Sequence, residues 1–126
     1  MDKELLIKLQ TEKARRFLSQ ADQMMGMEIW ELAANRYYYA CFHAVQALFI
    51  KNDINAHSHA GMNTQFSLHF VKTGIVELSY GSFLARMFQL RQKADYNCAY
   101  EIGKNDISEI VQLAHGFVDR ILGLTE

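Results

Sequence analysis

The chain has 126 residues, of which 50% are hydrophobic and 21% are charged. This length corresponds to one domain over residues 1–126, large enough to bury a core without a disulfide or a structural metal, and the composition excludes a disordered chain. The formal net charge of −1 argues against a generally basic nucleic-acid-binding domain, although it allows a local cationic pocket.

The first half of the chain has the pattern of two long helices. Apolar residues recur at helical spacing over residues 3–25, and Gly26 then predicts a turn. A second helix is predicted over residues 28–51. Because that segment is apolar on nearly all faces, we expect it in the middle of a helical bundle. Residues 52–59 are rich in turn formers and predict a loop.

A short helix and a fourth helix are predicted next. The short helix covers residues 60–72, with His59 expected to cap its start and Gly74 its end. A glycine and a serine are predicted to open the fourth helix, over residues 81–94. Residues 95–105 have no clear periodicity and predict an irregular segment.

The last helix has the clearest apolar pattern in the chain. Apolar residues follow i, i+3, i+4, i+7 spacing over residues 107–122, with Asp106 and Glu109 resembling a capping box and Gly123 closing the end. No segment shows the alternation typical of a strand, and the sequence contains no proline, which favours uninterrupted helices. We therefore predict an all-α fold, an up-and-down bundle of four long helices plus one short helix.

The cysteines and the chain start bear on the cellular compartment. Cys41 and Cys98 are too few and too far apart for a disulfide framework, and they fit reduced thiols in a cytosolic protein. The sequence begins with acidic residues rather than an apolar signal segment. The longest apolar stretch, residues 37–50, is too short to span a bilayer. We expect a cytoplasmic protein with no membrane-spanning segment.

Arg36 and His43 form the first candidate site. They are seven residues apart on the second helix, so they share one stripe, with Tyr39 between them. In a structural interpretation, Arg36 pairs with an acid on another helix and His43 donates to a backbone carbonyl. In a functional interpretation, the two residues form an anion or phosphate pocket, with a fixed fork of donors and a titratable group.

Arg91, Asp95 and Tyr96 form the second candidate site, where the fourth helix gives way to a loop. Loop ends on rigid scaffolds are frequent places for functional sites. The structural alternative is a salt bridge between Arg91 and Asp95 at i, i+4 spacing, worth a few tenths of a kcal/mol.

Three histidines are candidate metal ligands by position. His57, His59 and His69 lie within a short stretch, but no cysteine or carboxylate spacing completes a recognisable ligand set. We expect neither a metal nor a cofactor.

Four segments in order resemble the HEPN domain (higher eukaryotes and prokaryotes nucleotide-binding): residues 35–44, 59–61, 70–74 and 90–96. The resemblance extends over about residues 5–122. It implies a helical bundle that usually forms a homodimer. It also implies a frequent partner, a minimal nucleotidyltransferase, in two-gene prokaryotic modules that often act as toxin and antitoxin.

Many HEPN toxins are metal-independent ribonucleases whose signature is an arginine, four to six residues, and a histidine. The resemblance places that arginine at Arg91, but the histidine positions hold Tyr96, Asn97 and Cys98. Cleavage through the 2′-hydroxyl needs a group that titrates near neutral pH, and tyrosine is a poor substitute. Asp95 would need a raised pKa to act as a base. The catalytic residues of such a ribonuclease are thus not assigned by the resemblance, and the candidates are Arg91, Asp95 and Tyr96.

Three functions are compatible with these features. The favoured one is a dimeric binding protein that contacts a nucleotidyltransferase-type partner and holds a nucleotide or RNA phosphate where Arg91, Asp95 and Tyr96 meet their copies across a two-fold axis. The second is a metal-independent ribonuclease toxin. The third is a dimeric scaffold without catalytic activity. The charge balance favours a protein partner, because extended RNA binding usually requires a basic surface.

Overall fold

The computed structural model describes residues 2–56 and 58–126, and those residues contain helices and no strand. The helices are α1 (Lys3–Gly26), α2 (Trp30–Lys51), α3 (His59–Phe66), α4 (Leu78–Tyr96), α5 (Lys104–Ser108) and α6 (Ile110–Gly123). A π-helical turn, Ser67–Val71, continues α3. The predicted all-α bundle is confirmed: α1, α2, α4 and α6 are the four long helices and α3 is the short one. Helix α5 is a separate five-residue helix that the prediction does not distinguish from the last one.

Helix α2 forms the centre of the bundle, as its apolar composition predicts. It contacts α1, α4, α5 and α6, and its buried side chains are distributed around the whole helix. Helix α1 packs along α2 through small or compact residues, Ala14, Leu18 and Ala21. The chain turns between these two helices at Glu28, whose φ of 60° is unusual for a residue other than glycine.

The start of the short helix differs from the prediction. Ser58 is its N-cap, because the Ser58 hydroxyl accepts a hydrogen bond from the Gly61 backbone N–H at 2.9 Å. The prediction that His59 caps this helix is wrong, and His59 is instead the first helical residue. At the other end Lys72 is the cap residue, and Gly74 provides a φ of 82° in the turn that follows.

Helix α4 is longer than predicted at both ends. It begins at Leu78 rather than Gly81, so Gly81 lies inside the helix. Packing explains this glycine: a Cβ atom there would lie 2.8 Å from a methyl carbon of Val71. The helix continues to Tyr96 because Arg91 and Asp95 form an i, i+4 ion pair across its last turn. The irregular segment predicted over residues 95–105 is present but shorter, covering residues 97–103.

The last predicted helix is divided into α5 and α6 near Glu109. Helix α5 begins earlier than expected, at Lys104, and the Gly103 backbone N–H donates to Asp106 Oδ2 at 2.7 Å. Asp106 therefore lies in the first turn and not at the capping position. The predicted apolar stripe is buried, at Ile107, Ile110, Ala114, Phe117, Val118, Ile121 and Leu122.

Two further sequence features can be located. Cys41 is buried and Cys98 is exposed, and neither forms a disulfide. Burial raises the pKa of the Cys41 thiol well above its usual value. Over residues 2–56 and 58–126, none of the helices combines the length and the apolar character that crossing a membrane requires.

Candidate functional site

Arg91 lies on α4 and packs its guanidinium against two aromatic rings of α2. The guanidinium carbon is 5.6 Å from the ring centre of Tyr38 and 5.4 Å from that of Tyr39, close enough for cation–π attraction. Nη2 pairs with Asp95 Oδ2 at 3.3 Å, and the Arg91 side chain is only 19% exposed. Nε is buried and has no hydrogen-bond partner among the described residues. The arginine is thus held rigidly and retains an unused donor.

A cavity of about 260 Å³ lies beside Arg91, between α2 and α4. Its lining is mostly apolar, and four polar or charged residues contribute to it: Glu31, Asn35, Arg91 and Asp95. Ligand sites commonly combine apolar walls with a few polar groups in this way. Arg91 and Asp95, which the sequence predicts as site residues, therefore lie at one cavity.

Tyr96 is separated from this cavity. It is the last residue of α4, its side chain is 81% exposed, and it does not line the cavity. Within one chain, the structure brings together Arg91 and Asp95 but places Tyr96 at the surface.

Arg36 has no carboxylate partner among the described residues. Its Nε donates to Gln20 Oε1 at 3.0 Å, and its Nη1 donates to Asn35 Oδ1 at 2.8 Å. The structural prediction of an acidic partner on another helix is wrong, because neutral amide oxygens satisfy these donors. Asn35 also lines the cavity next to Arg91. Both candidate sites of the sequence analysis therefore meet at Asn35.

His43 is buried between α2 and α1. Its Nδ1 donates to the side-chain oxygen of Gln10 at 2.7 Å, so the predicted backbone carbonyl partner is wrong. Burial lowers the pKa of His43 to about 4, and the nearby charges of Lys13 and Arg16 lower it further in the same direction. The imidazole is therefore neutral at neutral pH and does not act as a cation there.

His59 is the site residue that sequence reasoning missed. Its Nδ1 is 2.5 Å from the hydroxyl of Tyr38, whose ring lies beneath Arg91. The imidazole also stacks on Phe88, one turn before Arg91, with ring centres 6.2 Å apart. Burial lowers the pKa of His59, and the Arg91 charge lowers it further. The only sequence signal was the segment beginning at His59 that resembles the HEPN pattern.

The Tyr38 hydroxyl keeps its proton beside His59. Burial raises the pKa of the Tyr38 hydroxyl, although the Arg91 charge opposes that effect. Tyr38 is therefore protonated at neutral pH, and it can either donate to a neutral His59 or accept from it. The hydroxyl thereby fixes the orientation of the imidazole beside Arg91.

The histidines form no metal site among the residues that the structure describes. No group of three histidine, cysteine, aspartate or glutamate residues in that part of the chain could hold an ion. His69 Nε2 lies 2.9 Å from Gln65 Oε1 on its own helical segment. His57 lies outside the described residues.

Comparison with known proteins agrees with the helical bundle and with the resemblance. The family model of the HEPN domain matches residues 7–124, so the chain belongs to the HEPN family. A UPF0332 protein of Thermotoga maritima is 34% identical over 125 residues, covering 99% of this chain and 95% of that protein. Further relatives come from archaea.

Two proteins of Methanocaldococcus jannaschii carry toxin names. "Putative toxin MJ0605" is 36% identical over 110 residues, which cover 87% of this chain and 81% of that protein. "Putative toxin MJ0142" is 28% identical over 109 residues, which cover 86% of this chain and 74% of that protein.

Proposed function

We propose that this HEPN protein is the toxin-type component of a prokaryotic two-protein module and binds a phosphate of a nucleotide or RNA at Arg91. The observation that carries the proposal is the state of Arg91: it is fixed against two tyrosine rings, is largely buried, lines a cavity, and has no partner for its buried Nε among the described residues. Arginine is the side chain best suited to fixed recognition of phosphate. The toxin names of two relatives support the class of protein.

The other predicted residues have different parts in this proposal. Asp95 holds the guanidinium in place through their ion pair. Arg36 does not line the cavity, but it donates to Asn35 at the cavity wall, and its role in the proposal is that of a second cation for a ligand that extends beyond the cavity. His43 supports the site as an uncharged hydrogen-bonding group, because its lowered pKa keeps it neutral.

The proposal includes a homodimer and a protein partner in the cytoplasm. An aromatic side chain as exposed as Tyr96, directly after Asp95, is a suitable contact for a second copy of the chain. The partner is proposed to be a nucleotidyltransferase-type protein. Light scattering over a range of concentrations tests the dimer, and a monomer at all concentrations would remove the inter-subunit site.

Replacement of Arg91 by alanine tests the binding site. Titration calorimetry with ATP, and with a short RNA, should show binding weakened by at least about tenfold, the loss expected when one charged hydrogen bond is removed. The matched control is Arg86→Ala on the same helix, since the one ion pair of Arg86 within the described part of the chain is an exposed pair with Glu109. Equal affinities of the two variants would contradict the proposal, as would an Arg91→Ala variant that has lost its helical circular dichroism.

A ribonuclease is the second candidate, and the position of His59 is the observation that favours it. His59 would take the proton of the 2′-hydroxyl, whose oxygen attacks phosphorus as the bond to the 5′-oxygen breaks, and Arg91 would stabilise the added negative charge. The leaving 5′-oxygen would take its proton from water.

Incubation of RNA with the protein and EDTA at neutral pH separates the two candidates. We expect no cleavage. Cleavage that disappears in His59→Gln and Arg91→Ala, and persists in the control His69→Gln, would establish the ribonuclease instead. If the protein neither cleaves nor binds nucleotide or RNA, the dimeric scaffold remains.

A further inference from the structure

Three cationic side chains surround one aromatic ring where α1 packs on α2. The ring centre of Phe17 is 5.0 Å from the Arg36 guanidinium carbon, 5.7 Å from Lys13 Nζ and 5.9 Å from the Arg16 guanidinium carbon. Phe17, Lys13 and Arg36 are half-buried, and Arg16 is exposed. We call Lys13, Arg16 and Arg36 the Phe17 cationic patch.

The patch lacks carboxylates, in contrast to its surroundings. Among the described residues, none of its three cations lies within ion-pair distance of an acidic side chain. Lys8 and Arg15 on the same helix α1 do have such partners, Glu12 and Asp119. A protein with 14 acidic and 13 basic residues has carboxylates available. The charge of the patch is therefore left for an external anion.

The positive charge of the patch affects the neighbouring buried residue His43. His43 contacts the edge of Phe17, with ring centres 5.4 Å apart. Lys13 and Arg16 both contribute to the lowered pKa of His43. Like charges placed this close repel one another, so a bound anion would lower the energy of the site.

The patch is continuous with the Arg91 cavity. Arg36 donates to Asn35, which lines that cavity. Tyr39, one turn after Arg36 on α2, lies beneath the Arg91 guanidinium. An extended anion that reaches Arg91 can therefore also reach the patch across a single helix.

We infer that the Phe17 cationic patch binds the phosphate backbone of an RNA strand whose terminal or neighbouring nucleotide occupies the Arg91 cavity. The inference rests on the proposed function and extends its site, through the shared Arg36, to Lys13 and Arg16. Lysine and arginine contacts to phosphate fix the position of a strand without reading its sequence. The patch therefore provides affinity for RNA and no base specificity.

Fluorescence anisotropy with a 5′-labelled RNA oligonucleotide tests the patch. The test variant combines Lys13→Gln, Arg16→Gln and Arg36→Gln. The matched control combines Lys8→Gln, Arg15→Gln and Arg86→Gln, which removes the same charge from cations that already have carboxylate partners.

The salt dependence gives the decisive quantity. Each phosphate contact to a single strand contributes about 0.7 to the slope of log affinity against log salt, so the patch variant should reduce the slope by about 2. Its affinity should fall by at least about tenfold, and the control should change much less. Should the triple variant fail to fold, Lys13→Gln and Arg16→Gln alone, which break no hydrogen bond found in the structure, should each reduce the slope by about 0.7.

The outcomes separate the patch from the Arg91 site. If Arg91→Ala abolishes RNA binding and the patch variant behaves like its control, the patch inference and the role of Arg36 are overturned, and binding at Arg91 stands. If the patch variant loses binding and Arg91→Ala does not, the patch is supported and the Arg91 site is contradicted. A wild-type protein that binds no RNA, or that binds only an acidic peptide through the patch, overturns the inference.

Discussion

Replacement of His43 by glutamine should remove part of the acid sensitivity of the fold. Burial, together with Lys13 and Arg16, lowers the pKa of His43 to about 4 in the native chain, whereas an unfolded histidine titrates near about 6.5. Between these two pH values the unfolded chain binds more protons than the native chain, so the free energy of unfolding falls as the pH falls. From pH 7 to pH 5 this one residue should remove about 2 kcal/mol.

Urea denaturation followed by circular dichroism measures this effect at pH 7, 6 and 5. Loss of the contacts of His43 with Gln10 and Phe17 should make the variant less stable than the wild type at pH 7. That difference should shrink by about 2 kcal/mol at pH 5. The control, His69→Gln, changes an exposed histidine and should follow the wild type. A stability difference between His43→Gln and the wild type that stays constant with pH would refute the reasoning.

Two further substitutions test the packing. Tyr37→Phe should lower the free energy of unfolding by about 1.5 kcal/mol, since the Tyr37 hydroxyl donates to Asp22 Oδ1 at 2.6 Å and, among the described residues, Asp22 would keep only His115 as a side-chain partner. An unchanged urea midpoint would contradict this. Gly81→Ala should cost about 1–3 kcal/mol, because the new methyl group would lie 2.8 Å from Val71. The cost should be smaller in a Val71→Ala background, and additive effects of the two substitutions would refute the proposed clash.

The helices that the sequence predicts best are those whose apolar pattern matches their burial. The stripe of α6 is buried as its spacing predicts, and α2 is central because it is apolar on all faces. The start of α4 could not be predicted from its apolar pattern. Gly81 normally indicates a turn, but here its missing side chain makes room for Val71, a contact between different elements that a local pattern does not contain.

In the candidate site, too, local spacing predicts contacts within one helix but not contacts between helices. The Arg91–Asp95 pair follows from i, i+4 spacing alone and is present. The partners of Arg36 were predicted to be acidic but are amides, because Gln20 of α1 happens to face it across the helix interface. His59 lies 21 residues from Tyr38 in sequence. Only the packing of α3 against α4 brings its imidazole next to Arg91.

The different burial of Cys41 and Cys98 makes it possible to measure how often the helical bundle opens. A thiol reacts with alkylating reagents in its thiolate form. Cys41 forms little thiolate because burial raises its pKa, and in the packed helix α2 its sulfur is out of reach of the reagent. The exposed Cys98 should therefore be alkylated first. The arrival of a second label, counted by intact mass, would then record how often the centre of the bundle is exposed to solvent.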